Sequence, residues 1–119
     1  MLPAKVLEVC RQRGIDKVAI TDHNTIAGAL QAAELDPTRV IVGEEIRTPK
    51  GELIAYFVRE EIPAGLEPEH AIELLRSQGA FISVSHPLDR LRGKVWSEDD
   101  LREILPLVDA IEVLSLIHI

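Results

Sequence analysis

The stretch Lys17-Val18-Ala19-Ile20-Thr21-Asp22-His23-Asn24 decides how the rest of the chain is read. A short apolar run of the kind that makes a buried strand ends abruptly in four polar residues. Upstream, Pro3 suits a first helical position, and Leu2, Val6, Leu7, Val9 and Cys10 recur at helical spacing until Gly14 stops them. Downstream, Ile26 to Leu35 is rich in Ala, Leu and Gln, which predicts a second helix that Asp36-Pro37 breaks. The strand is therefore flanked by helices on both sides.

The same alternation continues. Arg39 to Val42 predicts a strand, followed by Gly43-Glu44-Glu45. Ile46 to Val58 reads as a hairpin turning at Pro49-Lys50-Gly51. Pro63-Ala64-Gly65 opens a loop, Pro68 starts a helix through Gln78, and Gly79 ends it. Ala80 to Val84 is a strand running into Ser85-His86-Pro87. Ser97 caps a helix with Asp100 in its first turn, Leu105 ends that helix before Pro106, and Asp109 to Leu114 is a last strand. Strands alternating with helices predict an α/β fold with a mostly parallel sheet and helical crossovers. No internal repeat and no low-complexity stretch interrupts it.

Composition narrows the function. The chain has 119 residues, 46% hydrophobic and 28% charged, the proportions of one globular domain with a packed core. Its net charge of -7 repels a phosphate backbone, and 3% aromatic residues leave no platform for stacking bases, so long nucleic acids are poor partners. A small phosphorylated substrate, a nucleotide included, remains compatible if a metal neutralises it locally. Cys10 is the single cysteine and lies on the apolar side of a helical pattern, so a buried thiol and a reducing, cytoplasmic setting are expected. No signal peptide and no run long enough to span a bilayer is visible, so no membrane partner is expected. The oligomeric state is not legible.

Three polar clusters directly follow three of the strands: Thr21-Asp22-His23-Asn24, Gly43-Glu44-Glu45 and Ser85-His86-Pro87-Leu88-Asp89-Arg90. In a parallel α/β sheet such strand ends share one face, and that face carries the active site. A His, a carboxylate and a His can therefore converge, and these donor types suit Zn, Mn or Fe. Each has a plainer reading: the histidines as hydrogen-bonding residues, Asp22 as a helix cap, Glu44 and Glu45 as a pair with at least one member solvated. Strand alternation puts Glu44 and Glu45 on opposite faces, so only one can point at the site. No Gly-x-Ser-x-Gly motif and no P-loop competes.

In order and spacing these clusters resemble the motifs of the PHP (polymerase and histidinol phosphatase) family. Val18-Ala19-Ile20-Thr21-Asp22-His23-Asn24 is similar to its Thr-Asp-His strand, and Val42-Gly43-Glu44-Glu45-Ile46 to its Gly-x-Glu-Ile motif. Val84-Ser85-His86-Pro87 is similar to its strand-His-Pro motif, and Ile111-Glu112-Val113 to the strand that follows. The resemblance runs from Pro3 to Leu114. It implies a distorted (β/α)7 barrel with a cluster of divalent metals at the C-terminal strand ends, and hydrolysis of phosphoesters by metal-activated water. It implies His23 and His86 as metal ligands, Glu45 as a bridging ligand and Asp22 as a residue orienting a ligand or water. Arg90 is near enough in sequence to His86 to contact a substrate phosphate, with a surface salt bridge as the equal alternative.

The departures from that family are also informative. Its opening His-x-His strand and its late Asp-x-His motif have no counterpart in this chain. Glu52 stands near a position where many relatives carry His, either as a substitute ligand or as a solvent-facing hairpin residue, the second being favoured. The ending Ser115-Leu116-Ile117-His118-Ile119 resembles translated adapter read-through. The expectation is a partial PHP domain over residues 1–114, truncated at both ends, with a non-native tail over 115–119. Such a piece would bind metal weakly and turn over little, while its parent would be an active phosphoesterase. The alternative, from a different class, is a non-catalytic PHP-like structural or interaction module.

Overall fold

A computed structural model describes residues 2–85 and 96–112. The elements are α1 (Pro3–Gln12), β1 (Val18–Ile20), α2 (Ala27–Leu35), β2 (Val40–Thr48), β3 (Gly51–Tyr56), α3 (Pro68–Ser77), β4 (Phe81–Val84), α4 (Glu98–Ile104), a 3-10 turn (Leu105–Leu107) and β5 (Ala110–Ile111). Five strands form one mixed sheet in the order β1-β2-β3-β4-β5.

Local chemistry sets these boundaries. Pro3 and Pro68 open α1 and α3, where a missing N–H costs no helical hydrogen bond. Both helices end the same way. Ile15 N–H donates to Cys10 O and Gly14 N–H to Arg11 O after α1; Ala80 N–H donates to Leu75 O and Gly79 N–H to Arg76 O after α3. This paired closure needs a left-handed residue, and Gly14 (φ 70°) and Gly79 (φ 77°) supply it. Ser97 caps α4 by accepting from Asp100 N–H at 3.1 Å. In the hairpin, Thr48 Oγ1 accepts from Gly51 N–H at 3.1 Å and donates to Gly51 O at 2.7 Å, which closes the turn.

Alternation along the strands sorts the sheet into two faces. Ile46, Leu53, Ala55, Ile82 and Val84 are fully buried on one face and pack against Ala71, Ile72 and Leu75 of α3, Trp96, and Ile104 of α4. A second, smaller cluster of Leu7, Ala32 and Val40, with Val18 and Ile20, joins α1 and α2 to β1 and β2. Cys10 is buried, as its helical position predicts. The other face of β2 and β3 carries Glu45, Arg47, Glu52 and Ile54.

The sheet differs from the sequence reading in two respects. β1–β2 and β4–β5 are parallel, but β2–β3 and β3–β4 are antiparallel. The tight hairpin reverses β3 alone, so β1, β2, β4 and β5 still share one direction. β2 does not stop at Val42 but continues to Thr48, because β3 takes over as its partner from Gly43 onward. α4 ends at Ile104, before Pro106 as expected, and Leu105 to Leu107 continue as a 3-10 turn. Among the described residues the sheet is open, with β1 and β5 as its edges. The expected tail over 115–119 lies outside the described residues.

Candidate metal centre

β1 and β2 pair in parallel from Val18↔Val40 to Ile20↔Val42, and an isolated bridge, His23↔Glu45, resumes the same register beyond the end of β1. Glu45 N–H donates to Asp22 O at 2.9 Å, and Asn24 N–H donates to Glu45 O at 2.8 Å. Asn24 makes this possible by adopting φ 54°, a left-handed conformation that asparagine tolerates better than most residues. Its side-chain oxygen accepts from Arg47 N–H at 3.0 Å, tying the loop to the next step of β2. The result sets His23 Nδ1 3.7 Å from Glu45 Oε1.

β3 brings the third group. Glu45 pairs with Ile54 and Arg47 with Glu52, so the Glu52 side chain leaves the same face as Glu45, one diagonal step away. It is only 11% exposed. One donor atom from each of His23, Glu45 and Glu52 lies within 4.8 Å of the others. From the edge strand, just beyond the end of β5, Glu112 N–H donates to Val84 O at 2.9 Å, and the Glu112 carboxylate is close enough to act on Glu45.

This crowding of acids has an electrostatic consequence. Burial pushes the Glu45 carboxyl up to about 8; the hydrogen bond with Glu52 and the like charges of Glu52 and Glu112 add to the rise, and Arg47 opposes it. Carboxylates held together against their repulsion, with an imidazole beside them, form a donor set that a divalent cation relieves. Nitrogen with two carboxylate oxygens suits Zn, Mn or Fe. The residues present therefore fit a metal ion.

The residues singled out in the sequence separate into distinct places. His23 and Glu45 come together. Asp22 reaches Glu45 through its backbone carbonyl, but its carboxylate lies against α2: a Cβ on Gly28 would stand 2.8 Å from Asp22 Oδ2. There it lines a cavity of about 290 Å³ with Pro3, Ile20 and Gln31. His86 and Arg90 lie outside the described residues. The preceding Ser85 is buried, and its N–H donates to Glu52 O at 3.2 Å. Glu44 points to the opposite face from Glu45, as alternation requires; Glu45 keeps a side chain 16% exposed, while Glu44 has none of the expected solvation. Glu44 is fully buried, accepts from Ile62 N–H at 2.9 Å, and is pushed above the usual carboxylate range by burial.

Glu52 is not the solvent-facing hairpin residue that the sequence favours: its side chain is 11% exposed and turns to the metal-ligand group. The signal was the hairpin register: a turn at Pro49-Lys50-Gly51 places residue 52 opposite residue 47, on the face of residue 45. Glu112 reads in the sequence only as part of a strand, and its proximity to Glu45 depends on sheet order, which no local pattern encodes.

No family model matches the chain. It is 43% identical over 88 residues to the uncharacterized protein MJ1587 of Methanocaldococcus jannaschii, a match covering 71% of this chain and 52% of that protein. It is 38% identical over 100 residues to the uncharacterized protein MJ0417 of the same organism, covering 82% of this chain and 39% of that protein. The chain thus spans about half, or less, of the length of these curated relatives. Among solved structures it is similar to a candidate metal-dependent phosphoesterase from Bifidobacterium adolescentis, with a TM-score of 0.70 and 16% identity over 92% of this chain and 71% of that one. It is similar as well to a two-domain protein from Bacteroides vulgatus containing an inferred PHP-like metal-dependent phosphoesterase, with a TM-score of 0.71 and 20% identity over 95% of this chain and 39% of that one. At these identities the likeness is one of fold, and the fold is one that PHP-like phosphoesterase domains use.

Proposed function

We propose that this chain carries the metal-binding part of a metal-dependent phosphoesterase that hydrolyses a phosphate ester on a small metabolite or a nucleotide. The observation that carries the reading is the convergence of His23, Glu45 and Glu52 at one end of the sheet. The fold shared with PHP-like phosphoesterase domains supports it. In this reading the sheet is part of a distorted (β/α)7 barrel whose domain portion here is residues 1–114. His23, Glu45 and Glu52 hold Mn, Zn or Fe. His86, which follows the buried Ser85, adds a further ligand, and Arg90 contacts the substrate phosphate.

A bound divalent ion supplies Lewis acidity, lowering the pKa of water towards about 7 and offsetting phosphoryl charge. The protein's own work is positional. Glu45 gives up the proton it holds below about 8 in order to bind a cation. Asp22 fixes Glu45 through its carbonyl, and Asn24 fixes both the loop that presents His23 and the strand that presents Glu45. No helix among the described residues is long and apolar enough to cross a membrane. We take the cytoplasm as the setting.

The test is hydrolysis of an aryl phosphate with Mn²⁺ by the whole gene product, beside His23→Ala and Glu45→Gln. Each substitution is expected to lower kcat/KM by about ten- to a hundredfold or more. A folded wild-type protein with no metal-dependent hydrolysis contradicts the reading and favours a non-catalytic PHP-like module.

A further inference from the structure

A cation stands beside the metal-ligand group, on the same face of the sheet. Arg47 is two residues along β2 from Glu45 and directly opposite Glu52 on β3, so the three side chains share one face. Its Nε lies 3.7 Å from Glu52 Oε1, and 65% of the side chain is exposed. That separation is too long for a hydrogen bond, and so open an ion pair contributes little to stability. A guanidinium has five N–H donors in a planar fork, more than one carboxylate oxygen at this distance can use.

The backbone of Arg47, by contrast, is held tightly. Its N–H donates to Asn24 Oδ1 at 3.0 Å, and its carbonyl accepts from Gly65 N–H at 3.1 Å. The residue is therefore anchored to the loop that presents His23, while its side chain is largely exposed. Its surroundings are hostile to an anion: the chain carries a net charge of -7, and Glu45, Glu52 and Glu112 gather on this side of the sheet. A metal ion's charge is largely offset by the carboxylates that hold it. A phosphate dianion approaching the site needs a further positive group, and a planar fork of donors matches two phosphate oxygens at once.

We infer that Arg47 is a substrate-contact residue, whose guanidinium turns from Glu52 to bind the phosphoryl group of the ester and the inorganic phosphate released from it. This rests on the metal-dependent phosphoesterase reading above. An arginine that only neutralised Glu52 would strengthen neither ester nor phosphate binding.

The experiment compares wild type with Arg47→Ala and Arg47→Lys in the whole gene product. Mn²⁺ affinity is measured first by calorimetry. Binding of inorganic phosphate to the Mn²⁺-loaded protein is then followed by the same method, and KM and kcat are determined on an aryl phosphate. Arg47→Ala is expected to weaken phosphate binding and raise KM about five- to twentyfold, with kcat changed less and Mn²⁺ binding equal or tighter. Arg47→Lys should recover part of the loss. Phosphate affinity in the Mn²⁺-loaded Arg47→Ala protein within twofold of wild type overturns the inference alone, as does a Mn²⁺-loaded wild type that binds no phosphate. A folded wild type that takes up no metal overturns the phosphoesterase reading and this inference with it.

Discussion

His23 and Glu45 face each other across a parallel bridge, Nδ1 3.7 Å from Oε1, although β1 itself ends at Ile20. The ladder register carries through the gap, so the two side chains are placed by the sheet rather than by a flexible loop. A site built this way tolerates little displacement of β1 against β2, and its chemistry follows from where that register puts charge.

Glu45 makes the metal-free fold sensitive to pH. Its carboxyl is pushed up to about 8, from 4.5 for the ordinary group. The folded state therefore keeps a proton that the unfolded chain releases, and stability falls as pH rises from about 4.5 through about 8. Urea midpoints of the metal-free protein should drop between pH 5 and pH 8.5, and Glu45→Gln should flatten that drop. A wild type and variant with parallel pH profiles would refute it.

Metal binding should run the opposite way. Each ion bound below about 8 must displace the proton on Glu45. The apparent Mn²⁺ affinity should rise by up to about tenfold per pH unit between pH 6 and 8, with about one proton released. Calorimetry in two buffers of different ionisation enthalpy counts that proton. An affinity independent of pH over this range would exclude Glu45 as the titrating ligand.

Gly43 is where β1 and β3 both close on β2. A Cβ there would lie 2.6 Å from Thr21 Cγ2 and 2.7 Å from Ala55 O. The carbonyl belongs to the ladder and cannot yield without moving the strand that carries Glu52. Gly43→Ala should cost about 1–3 kcal/mol and weaken metal binding as well. Chemical denaturation and metal titration read the two effects separately, and a variant as stable as wild type would show that the strands are less tightly apposed.

The single tryptophan offers a direct optical probe. Trp96 is 4% exposed, its indole N–H donates to Glu52 O at 3.2 Å, and its ring lies against Gly51. Its emission should be that of a buried indole and should change when Zn²⁺ is added, with the change absent in Glu52→Gln. Trp96→Phe removes the hydrogen bond to the strand that carries Glu52 and should weaken metal binding several-fold. A Zn²⁺ response that survives Glu52→Gln would place the metal elsewhere.

Much of this was legible in the sequence because the signals were local. Pro3, Gly14, Pro68, Gly79 and Ser97 mark helix ends through their own backbone chemistry, and the structure uses all five. The alternation of Glu44 and Glu45 correctly assigned them to opposite faces. What escaped depended on pairing. The antiparallel pairing of β4 with β3, the extension of β2 to Thr48 and the burial of Glu52 all follow from which strand lies beside which. Asp22 is instructive in another way: its place in a polar cluster said nothing about its side chain, which turns to Gly28 while its carbonyl serves Glu45.

Anomalous diffraction at the manganese edge, from crystals grown with Mn²⁺, shows whether His23, Glu45 and Glu52 together hold a divalent ion. A peak is expected about 2.0–2.3 Å from a donor atom of each of the three residues. A well-occupied peak elsewhere, or an ordered site in which these three side chains bind no metal, would rule this centre out.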